Sequence, residues 1–179
     1  MSNFKIHNID SAPEGSKPLL KDSSDSFGMI PNLHGVMAEA PKVLEAYQRL
    51  HTLFSETSFN ANELNVIWLA INVEHDCHYC IPAHTGIAKS MNVDDEIINA
   101  LREKKSLSDK KLNALLNFTL TVVRKRGEIS QEELAEFTSA GYTQQQVLEV
   151  ILGVSQKIMS NYINHIAKTP VDDAFKQFI

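Results

Sequence analysis

An all-α fold is predicted by three observations. Apolar residues recur at intervals of three and four over stretches far longer than a strand, Ser, Thr or Asn caps stand ahead of several of them, and no alternating hairpin pattern occurs anywhere. The 179 residues carry 43% hydrophobic content without a composition break, enough for a single domain with its own core. The chain is therefore read as an extended N-terminal arm over residues 1–30 and one helical domain over 31–179.

The arm is assigned because Pro13, Gly15, Pro18 and the polar run from Lys21 to Ser26 show neither helical nor strand periodicity. Its Ile6, Ile9, Leu19 and Leu20 are apolar points that dock on the domain or on a neighbouring subunit. Val36, Met37, Ala40, Val43, Leu44, Tyr47, Leu50 and Phe54 then keep the helical interval, with a break allowed at Pro41. Residues 62–73 are apolar on most sides and predict a buried helix capped by Asn60 or Asn62. A helix is expected from Cys80 toward Met91, because Pro82 is tolerated in a first turn and not in an interior. Asp94 opens a short helix, Ser108 a longer one ending at Arg124–Gly127, and Ser130 with Glu133 forms a capping box. Thr143 with Gln146 repeats that device ahead of a long last helix, on which Asn161, Asn164 and His165 are expected at the helix surface, facing a site or an interface being the alternative.

A net charge of −5 with interspersed signs gives no basic stripe, which argues against nucleic acid and anionic membranes as partners. Neither a signal peptide nor an apolar run approaching the roughly 20 residues of a membrane span is visible, and a cytoplasmic protein is expected.

The stretch from Glu74 to His84 holds both cysteines and three of the seven histidines. Cys77 and Cys80 form a C-x-x-C, and His84 follows Cys80 by the helical interval, so thiol and imidazole share one helix face. In a reducing compartment such a pair reads as catalytic or metal-binding rather than as a structural staple. Both sulfurs near a helix start gain thiolate character from unpaired N–H groups and the helix dipole. Cys80 is the expected attacking sulfur and Cys77 its resolving partner, with the reverse order open as in thioredoxin-like usage. Glu74 is a candidate proton acceptor beside His84, Glu63 an alternative acid, and Tyr79 a possible substrate contact or packing residue. Zinc held by Cys77, Cys80, His84 and one of His75 or His78 is the competing reading of the same residues. A non-enzymatic helical oligomer and a lyase using His84 as base are the others.

Taken in order, Pro31-Asn32-Leu33, Met37-Ala38-Glu39-Ala40-Pro41, a buried helix, Cys77-x-x-Cys80-x-x-x-His84 and a long last helix resemble the carboxymuconolactone decarboxylase superfamily in its alkyl hydroperoxidase D-like branch. The resemblance covers most of the chain. It implies an all-helical homo-oligomer, a trimer or hexamer, working without a cofactor as a thiol peroxidase. Cys77 and Cys80 would be its redox pair, His84 its proton relay, a small hydroperoxide its substrate, and a protein or small-molecule dithiol its reductant. The sequence departs from that pattern at two places: Asn65 stands where the relay glutamate is found, and Tyr79 where a histidine precedes the second cysteine. The decarboxylase branch of the family generally lacks the cysteine pair, so the resemblance counts against lactone decarboxylation.

Overall fold

The chain is described from residue 4 to residue 179 by a computed structural model; the first three residues of the expected arm lie outside the described residues. Among the described residues the regular structure is entirely helical, as the sequence predicts. At the centre stands α4 (Ala61–Glu74), of which every residue from Glu63 to Val73 is buried. Its start is fixed by a capping box: Asn60 Oδ1 accepts the Glu63 N–H, and the Glu63 carboxylate accepts the Asn60 N–H. Around it pack α5 (Cys80–Ser90), α6 (Asp95–Arg102), α7 (Lys110–Arg124) and α9 (Gln144–Ala167), with α3 (Pro41–Ser55) laid against α9 and α8 (Gln131–Ser139) against α7. Ile67, Leu69 and Ile71 of α4, with Phe54, Leu115 and Val150, are fully excluded from water, each worth roughly 1.5–3 kcal/mol of hydrophobic stabilisation. Gly153 marks the closest approach of α9, since a Cβ built there meets the Phe54 ring at 2.6 Å.

The N-terminal stretch differs from the extended arm expected. It contains a helix, α1 (Lys17–Phe27), followed by α2 (Asn32–Met37). Pro18 sits in the first turn where its missing N–H is harmless, Lys21 pairs with Asp25 one turn on, and Gly28 ends the helix in the left-handed region at φ 71°. So short a helix holds only by docking, and it docks through Leu20, which is wholly buried, and Ser23. The sequence pattern is weak because two or three contacts, not a long apolar stripe, do the anchoring. Leu20, Leu33, Met37, Leu44 and Tyr47 build a second, smaller core, and both cysteines lie in it. Pro41 breaks the next stretch into α2 and α3, as expected.

The last helix is capped by Thr143 and Gln146 as the sequence predicts, and Val150 and Val154 of its apolar stripe are buried, yet a polar row is buried with them while part of the apolar stripe faces water. Gln156, Lys157, Ser160, Asn161 and Asn164 are fully buried, whereas Leu148 and Ile166 are 68% and 69% exposed. After α9 a 3-10 segment, Asp173–Phe178, returns to α5, where Phe175 and Phe178 lie against Gly86. No helix among the described residues is long and apolar enough to cross a membrane.

Candidate active site

The C-x-x-C is positioned by the way α4 stops. Asp76 takes a left-handed conformation at φ 50°, which a short polar side chain tolerates, and two reverse hydrogen bonds close the helix: Asp76 N–H to the Val73 carbonyl and Cys77 N–H to the Asn72 carbonyl. Cys77 therefore follows α4 directly. The chain then curls around its sulfur, so that the Cys80 N–H donates to Cys77 Sγ at 3.3 Å as α5 begins. Both cysteines are free thiols and both are buried.

The buried polar side of α9 closes over them. Asn164 Nδ2 donates to Cys80 Sγ at 3.2 Å, and Ser160 Oγ lies 3.9 Å from it. Asn161 reaches the same region, its Nδ2 donating to Asn72 Oδ1 while Asn72 Nδ2 donates to the Cys80 carbonyl. Lys157, wholly buried, donates from Nζ to His84 Nε2 at 2.8 Å, and its charge acts on the Cys80 thiol. Among the described residues no carboxylate pairs with it.

These neighbours push the two thiols apart. Burial resists a charge on Cys80, but the hydrogen bond from Cys77, the Lys157 ammonium and the Asn164 and Asn161 amides outweigh it and bring Cys80 well below an ordinary thiol. Cys77 moves the opposite way, held protonated by its hydrogen bond to Cys80, by burial and by the charge of that neighbour. His84 is kept neutral by burial and by the charges of Lys157 and His51. Its Nδ1 has no hydrogen-bond partner among the described residues.

Cys80, His84 and Lys157 line a cavity of about 90 Å³ whose other walls are largely aromatic: Phe27, His34, Tyr47, His51, Tyr79 and Phe175. A larger open groove of about 590 Å³ between α1 and α3 shares Phe27, His34 and His51 with it. Tyr79 is a strut in this wall. Its hydroxyl donates to the Asp172 carboxylate at 2.5 Å and accepts the Leu33 N–H, while Asp172 also accepts the Asn32 N–H, tying the start of α2 to the C-terminal segment. His51 Nδ1 accepts from Gln156 Nε2, whose Oε1 accepts the Trp68 indole N–H.

Of the residues singled out in the sequence, Cys77, Cys80, His84 and Tyr79 converge. The structure does not bring Glu74 to His84: the carboxylate makes two hydrogen bonds to Arg124 of α7, at 2.8 and 2.7 Å, and that guanidinium holds it below the usual carboxylate range. Glu63 is committed to the capping box at the other end of α4, and Asn65, at the relay position, donates to the Ala61 carbonyl. Ligands for zinc do not assemble either. His75 bonds Asn161 and His78 bonds the Thr169 carbonyl, and among the described residues no three His, Cys, Asp or Glu side chains converge as a metal site. Asn161 and Asn164, expected on the helix surface, are instead at the thiols. Lys157 and Asp172 escaped sequence reasoning altogether. The signal present was the polar stripe 156, 157, 160, 161, 164, which keeps helical spacing as faithfully as the apolar one.

No protein-family model and no curated protein matches the sequence. Solved structures do match the fold. The alkylhydroperoxidase AhpD core of an uncharacterized peroxidase-related protein from Ralstonia eutropha JMP134 superposes with a TM-score of 0.86 at 18% identity, over 97% of this chain and 94% of that one. An uncharacterized peroxidase-related protein from Silicibacter sp. TM1040 gives 0.80 at 16% identity, over 97% and 94%. A variant of the debrominase Bmp8 in complex with 2,3,4-tribromopyrrole gives 0.82 at 15% identity, over 99% and 96%. The chain has the all-helical AhpD-core fold.

Proposed function

We propose that the protein is a two-thiol reductase of small hydroperoxides, with Cys80 as the attacking sulfur and Cys77 as the resolving one. The observation that carries the reading is a pair of buried free thiols three residues apart, Cys77 Sγ accepting the Cys80 N–H, with Cys80 favoured as thiolate on the wall of a largely apolar cavity. The Cys80 thiolate attacks one peroxide oxygen, the O–O bond breaks, and a sulfenic acid and an alkoxide or hydroxide result. The Cys77 thiol condenses with the sulfenic acid to give the disulfide and water, and an external dithiol restores both thiols. His84 is the proton relay of this scheme, with the unpartnered Nδ1 as its donor to the leaving oxygen. The similarity in fold to peroxidase-related proteins agrees with this chemistry. The same pair of thiols can reduce a carbon–halogen bond, and the fold neighbour Bmp8 is a debrominase, so a brominated pyrrole belongs in the substrate panel.

Incubation of reduced protein with hydrogen peroxide, small alkyl hydroperoxides and a brominated pyrrole, followed by mass spectrometry, tests the scheme. Oxidised protein is expected to lose two hydrogens across the peptide bearing Cys77 and Cys80, to show no titratable thiol, and to recover two after dithiol treatment. Persistent free thiols with every oxidant would overturn it.

The exposed apolar stripe of α9, Leu148, Ile151, Tyr162 and Ile166, is inferred to join copies of the chain, because a stripe of this length left in water favours association. Light scattering is expected to give a closed oligomer, a trimer or hexamer, and Ile166→Glu to dissociate it. A monomer at micromolar concentration would refute the assignment.

A further inference from the structure

Lys157 is the one fully buried cation among the described residues, and it has no carboxylate partner. The titratable groups facing it are Cys77 and Cys80 from the C-x-x-C, Tyr79 between them, whose ionisation burial suppresses, His84 from α5, Tyr47 and His51 from α3 and His34 across the cavity from α2. None of these except the Cys80 thiol supplies an anion near neutral pH, since burial suppresses ionisation of Tyr47 and the histidines are cations or neutral. An ammonium buried alone is strongly disfavoured, so a charged Lys157 requires a thiolate at Cys80. Disulfide formation removes that thiolate. The geometry also provides an exit for the proton: Lys157 Nζ donates to His84 Nε2 at 2.8 Å, which leaves the ring proton on Nδ1, buried, without a partner among the described residues, on a ring that lines the cavity.

We propose that Lys157 stores the proton of the reaction, as an ammonium in the dithiol state and as a neutral amine in the disulfide state, and delivers it through His84 to the leaving group. The inference rests on the two-thiol reading above. As the thiolate attacks and the O–O bond breaks, its electron pair goes to the leaving oxygen, which takes the Nδ1 proton of His84 while Nε2 takes one from Lys157. A sulfenic acid, an alcohol or water, and a neutral amine remain. Condensation with the Cys77 thiol releases water and moves no further charge. The dithiol reductant then returns two electrons and two protons, one proton to Cys77 and one to Lys157, and the ion pair is restored. Charge is balanced at both ends of the cycle without solvent entering the site.

The test counts protons on the full-length protein oxidised stoichiometrically with diamide in weakly buffered solution containing a pH indicator. Diamide closes the disulfide whether or not the protein is a peroxidase. Reduced protein at pH 7 is expected to show ultraviolet thiolate absorbance and to take up no net proton per disulfide formed. Lys157→Arg, whose guanidinium cannot release its proton, is expected to keep the thiolate and to take up one proton per disulfide. Lys157→Met is expected to lose the thiolate absorbance at pH 7 and to react with peroxide about 10²-fold more slowly there, the deficit closing as pH rises past the free-thiol range. Uptake of one proton by the unsubstituted protein, or absence of its thiolate at pH 7, overturns the proposal. Correct proton counts without peroxide turnover would instead remove the peroxidase reading and leave proton storage standing.

Discussion

Cys80→Ser is expected to lower hydroperoxide turnover by at least about 10³-fold, because a serine hydroxyl does not ionise near neutral pH and no neighbouring base in the cavity substitutes for the missing thiolate. The substitution is nearly isosteric and retains an acceptor for Asn164, so the fold is expected to survive. Cys77→Ser gives the contrasting result. The Cys80 thiolate still attacks once, and with no second thiol to condense with it the reaction stalls at the sulfenic acid, which dimedone traps and mass spectrometry reads. Single-turnover oxidation of the two variants separates the assignments. Trapped sulfenic acid on Cys77 in the Cys80→Ser protein would show that the attacking and resolving roles are reversed.

Stability is expected to fall steeply between pH 6.5 and about 4. His34 is brought down to about 4 by burial and the nearby charge of His51, and His51 to about 4 by burial and the charge of Lys157. In the unfolded chain both imidazoles take protons below about 6.5, whereas in the folded protein they stay neutral until about 4. The unfolded state thus binds more protons throughout that window, and acidification pulls the equilibrium toward it. Each tenfold difference in proton affinity between the two states is worth about 1.4 kcal/mol, so the two histidines together remove several kcal/mol, an amount comparable to the whole stability of many domains. His84 acts in the same direction. Carboxylates held low by ion pairs, such as Glu74 with Arg124, contribute only below the ordinary carboxylate range, so the upper part of the window belongs to the histidines. Urea midpoints at pH 7.5, 6 and 5 measure the effect, and His34→Gln is expected to flatten the curve. Equal midpoints across that range would show that the buried histidines are solvated or already charged.

What the sequence reveals follows from the range of the interactions involved. The caps at Asn60, Ser130 and Thr143 are local, each closing on a residue three positions on, and the start of α5 at Cys80 follows from Pro82. The bond between Lys157 and His84 joins residues 73 apart, that from Asn164 to Cys80 spans 84, and that from Tyr79 to Asp172 spans 93. No spacing rule reaches so far. Periodicity in α9 was legible but its orientation was not, because hydrophobic patterning assumes that the apolar side faces inward, and here the polar side packs on the thiols. Glu74 misled for a related reason. It adjoins the motif in the chain, yet the last turn of α4 turns it toward Arg124 on α7.

The dependence of Cys80 on α9 also has a temporal side. During synthesis the cysteine leaves the ribosome ahead of Asn164 by 84 residues, which at about 5–20 residues per second amounts to roughly 4–17 seconds. Through that interval the nascent chain lacks Lys157, Asn161 and Asn164, the groups that draw the proton from the sulfur, and the motif is an ordinary pair of protonated thiols. The set of groups that favours a thiolate at Cys80 is complete only when the last long helix seats.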